Sequence, residues 1–402
     1  MPTINSSHFR FSWREGNQFE LLIDGDQFFP AMLNAIEHAN HYVALNMYLV
    51  ISGNVADRFI NALQQAAQRG VLVYITLDDF GASRMNKTDR ERLNQPNIYL
   101  SFYNPVNYGR WFHNLFRDHR KLLLLDGTLA FVGGAGITDD FDPPDASALR
   151  WRETVVKISG SCVEDWRKLF VESWPIPAIR PAMPAHPDTL NRTPSSSEMM
   201  GRVTLSHAAT RQEIRRSVNR HLHGAEHRIW MTTAYFVPSW RMQWALRKAA
   251  KRGVDVRLLL PGKHSDHPAI RHAGRRFYFK LLQSGVRIFE YQPRFSHSKV
   301  LLCDQWSTIG SSNLDRWNLV WNLEANQEID DPHFAHTVKQ MFNNDFAQCI
   351  EIDVETWRKR PWHRRFLEWY WGWVDGLLYK FSIHWRRRNR PNRTKQRKKN
   401  TP

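Results

Sequence analysis

The sequence predicts an α/β fold made of two similar halves. Two observations carry that expectation: a gap-free internal repeat, and a strand, helix, strand order that is read twice. Residues 62–77, ALQQAAQRGVLVYITL, and 245–260, ALRKAAKRGVDVRLLL, agree at nine of 16 positions at an offset of 183 residues. Each copy places apolar residues at helical spacing: Phe59, Leu63, Ala66 and Ala67 in one, Met242, Leu246, Ala249 and Ala250 in the other. An Arg-Gly pair closes each helix and a β-rich run follows. An apolar strand precedes each, HYVALNMYLV at 41–50 and RIWMTTAYFV at 228–237. That order implies a parallel sheet with helices packed upon it. Between the copies, six prolines fall within 175–194 and run into SSSE, the signature of a linker. The expected divisions are a first lobe over 1–174, a linker over 175–201, a second lobe over 202–352 and a tail over 353–402.

Composition narrows the class. The 402 residues are 42% hydrophobic and 24% charged, which fits a soluble globular chain and excludes fibrous or wholly disordered ones. No uninterrupted apolar run reaches 18 residues, so no ordinary spanning helix is expected. The first residues, MPTINSSHFRFSWREGN, lack the apolar core of a signal peptide, and a cytoplasmic catalytic body is expected. Cys162, Cys303 and Cys349 are few and far apart, which supports neither a disulfide framework nor a CxxC metal site.

The net charge of +17 is concentrated at one end. From Arg358 onward there are 15 Lys or Arg against two acids, Glu368 and Asp375, a net of +13, which leaves +4 for the rest. A nucleic-acid enzyme would carry its basic surface around the site; here it lies on an appendage. That appendage holds Trp357, Trp362, Trp369, Trp371, Trp373 and Trp385 with Phe366, Tyr370, Tyr379 and Phe381, then arginines at 386–388. Indole rings and basic side chains together suit the headgroup boundary of an anionic bilayer. The tail is therefore expected to anchor the chain peripherally at the cytoplasmic face of the cell membrane.

The chemistry-bearing motif is also doubled. Residues 119–126, HRKLLLLD, and 297–304, HSKVLLCD, share His, a spacer, Lys, four spacers and Asp, 178 residues apart. Chance would supply such a pattern on the order of 0.05 times per chain. An apolar run bounded by polar residues reads as a buried strand, where residues two apart share a side. His119 with Lys121, and His297 with Lys299, then present an imidazole and an ammonium on one face. Asp126 and Asp304 complete the motif and are counted with the catalytic set, although their opposite parity at the strand end suits bracing better than substrate contact. Small residues follow, LAFVGGAG at 129–136 and STIGSSN at 307–313, whose backbone N–H groups can approach an anion. Gly133, Gly134, Ser311 and Asn313 are thus candidates for binding substrate.

Two imidazoles and two ammonium groups suit displacement at a phosphodiester. One neutral imidazole attacks phosphorus; the other, protonated, gives its proton to the leaving alkoxide, while lysines and amides hold the non-bridging oxygens. Each half offers a carboxylate to orient an imidazole, Glu153 in WRETVVKI and Glu324 in NLEANQEI. This chemistry is shared by lipid-directed phosphodiesterases and by nucleases, and the nearly neutral body disfavours nucleic acid.

The doubled HxKx4D pattern resembles the phospholipase D superfamily, and within it bacterial cardiolipin synthases of the B type. SWREGN at 12–17, AQRGV at 67–71, DHRKLLLLD at 118–126, AYFVP at 234–238, GSSNLD at 310–315 and NLEAN at 322–326 carry the likeness. The resemblance implies two pseudo-symmetric lobes, each a mixed, mostly parallel sheet flanked by helices, with one shared active site at the interface. It implies transfer of a phosphatidyl group to the headgroup hydroxyl of phosphatidylglycerol, from phosphatidylglycerol or phosphatidylethanolamine, through a phosphohistidine. No metal or other cofactor is implied, and no nucleic-acid partner. In family members the first-motif histidine is often the nucleophile, which would assign attack to His119 and acid and base work to His297. One departure stands out: the family places Asn where this chain has Gly136.

Overall fold

A computed structural model describes residues 9–107, 109, 114–145, 149–185, 199–207, 211–314, 321–362, 365–374 and 376–377. One sixteen-stranded sheet runs through both halves. The first half contributes β1 (Arg14–Ile23), β2 (Tyr42–Met47), β3 (Leu72–Asp78), β4 (Ile98–Tyr103), β5 (Lys121–Leu125), β6 (Leu129–Gly133) and β7 (Thr154–Gly160). The second contributes β8 (Met199–His207), β9 (Arg211–Gln212), β10 (Arg228–Thr232), β11 (Asp255–Pro261), β12 (Arg287–Tyr291), β13 (Val300–Cys303), β14 (Trp306–Gly310), β15 (Leu323–Asp330) and β16 (Cys349–Glu351). The order is β4-β3-β2-β5-β6-β7-β1 in one half, mirrored by β8-β15-β14-β13-β10-β11-β12 in the other, with β16 on the outer edge. The halves join where β1 pairs antiparallel with β8, at Arg14 with Gly201 and Asn17 with Met199. β8 thus begins inside the stretch expected as linker.

The two-lobed α/β class is as expected, but "mostly parallel" needs correction. Strands run parallel only through β2, β3 and β4 and through β10, β11 and β12. The remaining neighbours within each half are antiparallel. The cause is loop length: Asp126 to Thr128 joins β5 to β6, and Asp304 with Gln305 joins β13 to β14. Such turns make hairpins, whereas a parallel connection needs a long crossover.

Helices fall where the periodicity puts them. The helix Asn54–Gln68 buries Val55, Phe59, Ile60, Leu63, Ala66 and Ala67 on one side and stops at Gly70, whose φ is 91°. Its counterpart Trp240–Lys251 is capped by Ser239, whose side chain accepts from the Met242 N–H, and stops at Gly253 with φ 93°. An L side chain at either glycine would strain the left-handed backbone, so the chain turns reliably into the next strand.

Each motif strand is buried on both faces. Leu123 and Leu125 enter a core under the first half, and Leu122 and Leu124 enter a core shared by both halves. β13 repeats this: Leu301 and Cys303 face a core of the second half, Val300 and Leu302 the shared one. Helices Cys162–Ser173 and Pro332–Phe346 lie in the shared core, each reaching across the seam. Phe334 meets Phe19 of β1 edge to face, and Trp166 Nε1 donates to Gln327 Oε1 of β15 at 2.9 Å. Burial here favours the joined state at roughly 25 cal/mol per Å² of apolar surface. Among the described residues, no helix is long and apolar enough to cross a membrane.

Candidate active site

The seam decides which carboxylate meets which imidazole. Just before β5, His119 N–H donates to Leu323 O at 3.0 Å, and Leu323 N–H donates to Arg117 O at 2.8 Å. Just before β13, His297 N–H donates to Arg152 O at 2.8 Å, and Arg152 N–H to Phe295 O at 2.9 Å. These two short parallel bridges, Asp118 with Leu323 and Arg152 with Ser296, tie each histidine to the strand of the opposite half that carries a glutamate one residue later. The result is an exchange: His297 Nδ1 lies 2.6 Å from Glu153 Oε2, and His119 Nδ1 lies 3.0 Å from Glu324 Oε1. A second contact, 3.1 Å to Ser311 O, fixes the His119 ring. With Nδ1 held by a carboxylate, Nε2 is the nitrogen left for chemistry.

The lysines are buried beside them. Lys299 Nζ is 3.3 Å from Glu153 Oε2 and 3.0 Å from His297 Nδ1, and it also donates to His297 O. Lys121 Nζ donates to His119 O at 2.7 Å and lies 4.9 Å from the centre of the Tyr48 ring. Tyr48 in turn lies 4.6 Å from the His119 ring. His297 sits among Trp151, Phe141 and Phe295, with ring centres 5.3, 5.8 and 5.8 Å away.

Electrostatics follow from this burial. Desolvation, with Lys299 adding repulsion, pushes His297 down to about 3. His119 is also lowered, by burial first and by the two lysines, against the pull of Glu324. Burial brings Lys121 down to about 7 and lowers Lys299 as well. Burial alone would raise Glu153, but Lys299 and the His297 bond outweigh it and hold the carboxyl below its usual range. The Lys299 charge acts on His119 and the Lys121 charge on His297, so the two motifs share one electrostatic neighbourhood. Cation-forming groups outnumber the two carboxylates, a balance that suits an anion.

Comparison with known proteins shows the family. Residues 32–173 and 218–346 match the family described as cardiolipin synthase, PLD-like domain. This chain belongs to the cardiolipin synthase family of phospholipase D-like proteins. Cardiolipin synthase B of Shigella flexneri is 34% identical over 357 residues, covering 87% of this chain and 86% of the relative. Cardiolipin synthase 2 of Bacillus anthracis is 30% identical over 354 residues, covering 86% and 68%. The fold is similar to that of phosphatidylserine synthase from Haemophilus influenzae Rd KW20, with a TM-score of 0.67 at 14% identity, covering 83% of this chain and 87% of that one.

Within this cardiolipin synthase-family site the expected residues separate. His119, Lys121, His297, Lys299, Glu153 and Glu324 come together. Asp126 and Asp304 do not, and their place in the catalytic set is corrected. Asp126 accepts from the backbone N–H groups of Asn40, His41 and Tyr42, and Asp304 from those of Glu226, His227 and Arg228. With φ of 51° and 52° they turn the hairpins at the far ends of β5 and β13 and pin the starts of β2 and β10.

The small residues at the ends of β6 and β14 are closely packed. A Cβ on Gly134 would lie 2.2 Å from Glu153 Oε2, and one on Gly133 would strike Thr154 O at 2.4 Å. Ser311, in the matching place, donates to Glu324 Oε2 at 2.5 Å. Gly134 is thus small enough to admit the Glu153 carboxylate, Ser311 bonds the Glu324 carboxylate, and Gly133 lies tight against the β7 backbone. Asn313 is buried, and both polar atoms of its side-chain amide lack a hydrogen-bond partner among the described residues. Opposite it, a Cβ on Gly136 would lie 2.8 Å from both Cβ and O of Leu49, so the volume an Asn would need is already filled.

Several residues at the site carry no repeated signal. Asp118, beside His119, takes a bidentate bond from Arg120 and one from Asn46 at 2.9 Å; the second half has Ser296 and Ser298 in place of Asp118 and Arg120. Phe141 and Trp151 look like ordinary core aromatics in the sequence, and only the folded site gives them a place, whereas Tyr48 recurs as Tyr235 at the same place in the paired strands 41–50 and 228–237, a signal that could have found it.

Proposed function

We propose that this chain makes cardiolipin, transferring a phosphatidyl group from one phospholipid to the headgroup hydroxyl of phosphatidylglycerol. The crossed His and Glu pairs carry the reading, because they create two Nδ1-anchored imidazoles under one set of lysines. One Nε2 attacks the donor phosphorus; the P–O bond to the departing alcohol breaks, and that alkoxide takes a proton from the second imidazole, leaving a phosphohistidine. The acceptor hydroxyl then gives its proton to the second imidazole as its oxygen attacks phosphorus, and the first imidazole is released. Burial holds both imidazoles towards the neutral form in the free chain, ready to attack or accept a proton, and the bound phosphate favours protonation of the second. Lys121, Lys299 and the Asn313 amide face the charge that develops on the non-bridging oxygens.

The chain works peripherally at the cytoplasmic face of the membrane, with anionic lipid as both substrate and surface. Lobes over 1–174 and 202–352 do the chemistry, 175–201 joins them, and the aromatic and basic tail over 353–402 attaches them to lipid. Purified chain with phosphatidylglycerol vesicles should yield cardiolipin and glycerol, and His119→Ala or His297→Ala should abolish both products. Wild-type turnover in both variants would overturn the reading.

A further inference from the structure

The helix over 365–374 is amphipathic in the wrong sense for a helix that packs by hydrophobic burial. Its acid, Glu368, is buried, and so is Gly372; Phe366, Trp369, Tyr370 and Trp373 face outward. Trp362 and Leu377 extend the same stripe, at i, i+4, i+7, i+8, i+11 and i+15 counted from Trp362. Trp362 is 77% exposed, Trp369 62% and Trp373 53%.

What holds the helix down is charge. Glu368 pairs with Arg360 and lies 3.8 Å from Arg275 Nε; Arg275 is 3.4 Å from Glu290, which also takes a bond from Arg271 at 3.0 Å. Arg276 donates to Gly372 O, passing where a Cβ on Gly372 would lie 2.5 Å from its Cδ. Trp357 is sandwiched beneath, with Arg275 4.8 Å and Arg360 3.2 Å from its ring and Tyr278 stacked at 4.9 Å. Arg275 closes the helix Pro268–Arg275. That helix thus ties the aromatic stripe to the body of the second lobe.

We propose that this stripe is a rigid foot that lies in the headgroup boundary of an anionic bilayer, locked to the second lobe by Glu368. The reading rests on the lipid-directed function above and adds the device that holds the site at the surface. Its occupant follows from the chemistry: the stripe is rich in indole and phenol rings, Arg358, Lys359 and Arg365 are exposed beside it, and Glu368 is turned away from it. Trp and Tyr with flanking cations suit a negatively charged, half-wet boundary.

Full-length protein is mixed with phosphatidylcholine vesicles, with and without phosphatidylglycerol, and partitioning is measured by flotation and by the blue shift of tryptophan emission. Wild type should bind the phosphatidylglycerol vesicles. The double variant Trp369→Ser with Trp373→Ser should bind on the order of tenfold less or weaker still, with turnover of short-chain, water-dispersed phosphatidylglycerol unchanged. Glu368→Gln should keep the aromatic stripe and most of the binding but lose its lock, so turnover on vesicles falls several-fold while short-chain turnover holds. Equal partitioning of the double variant and wild type overturns the foot. So does a lipid-free dimer that the double variant converts to monomer, since the stripe would then cover a second copy. Loss of short-chain turnover in wild type would strike the proposed activity instead, leaving the partitioning result to stand by itself.

Discussion

Replacing Glu153 with Gln tests the exchange across the seam most directly. Gln keeps the volume that Gly134 makes room for, so no cavity opens, but the carboxylate 2.6 Å from His297 Nδ1 and 3.3 Å from Lys299 is gone. A comparable loss in a hydrolase triad lowers turnover about 10⁴-fold, because the imidazole is neither held in one tautomer nor stabilised when protonated. Turnover should therefore fall about 10³- to 10⁴-fold. Removing one member of a buried ion pair costs about 3–5 kcal/mol. Lys299 can shed its proton, being already lowered by burial, so about 3 kcal/mol is expected. Initial rates of cardiolipin formation and urea unfolding midpoints read the two quantities. A stability cycle locates the contact: Glu153→Gln with His297→Asn should be non-additive by about 1 kcal/mol or more, and with His119→Asn additive within about 0.5 kcal/mol. A variant within about threefold of wild-type rate and with an unchanged midpoint would refute the argument, as would coupling to His119 in place of His297.

Asp126→Ala should cost about 2 kcal/mol or more of stability, since three backbone N–H groups lose their acceptor at a residue with φ of 51°; rate per folded molecule should stay near wild type, as active-site titration against urea midpoints would show. His297 has its folded pKa depressed from 6.5 to about 3, so its contribution is complete above pH 6.5 and is lost as pH falls towards 3. Unfolding free energies measured across that window should drop by a few kcal/mol, and His297→Asn should flatten the slope. Lys121, held to about 7, should give kcat/KM a basic limb near that pH, and Lys121→Arg should remove the limb from the profile. Gly136→Asn should lower the melting temperature through the clash with Leu49, and adding Leu49→Ala should recover little of the loss, because the Cβ and backbone O that clash are both retained.

The repeat, the motif strands and the two glutamates were legible because each is a local pattern occurring twice. The partner of each glutamate was not legible, since it depends on bridges formed only when Arg152 meets Ser296 and Asp118 meets Leu323 across the seam. Strand direction is hard to read for a related reason: the helix-linked strands advertise themselves by periodicity, while the hairpins at Asp126 and Asp304 are marked only by short turns. Gly134 and Ser311 read as anion-binding residues because small residues suit close approach, and the sequence is silent on whether ligand or carboxylate makes the approach. In the sequence Glu368 is one of two acids in a basic tail; only its arginine partners explain why it lies inside. Tyr379, Lys380, Phe381, Trp385 and the arginines at 386–388 lie outside the described residues, as do Asp315 and SSSE at 195–198.

Because each imidazole borrows its acid from the other half, a single lobe expressed alone would own a complete motif and no oriented base. Two copies of one lobe, docked about the same axis, would furnish both pairs at once. The arrangement therefore makes covalent union of the halves a convenience, and their docking the true condition for reactivity: whatever prises β1 from β8 silences both histidines together.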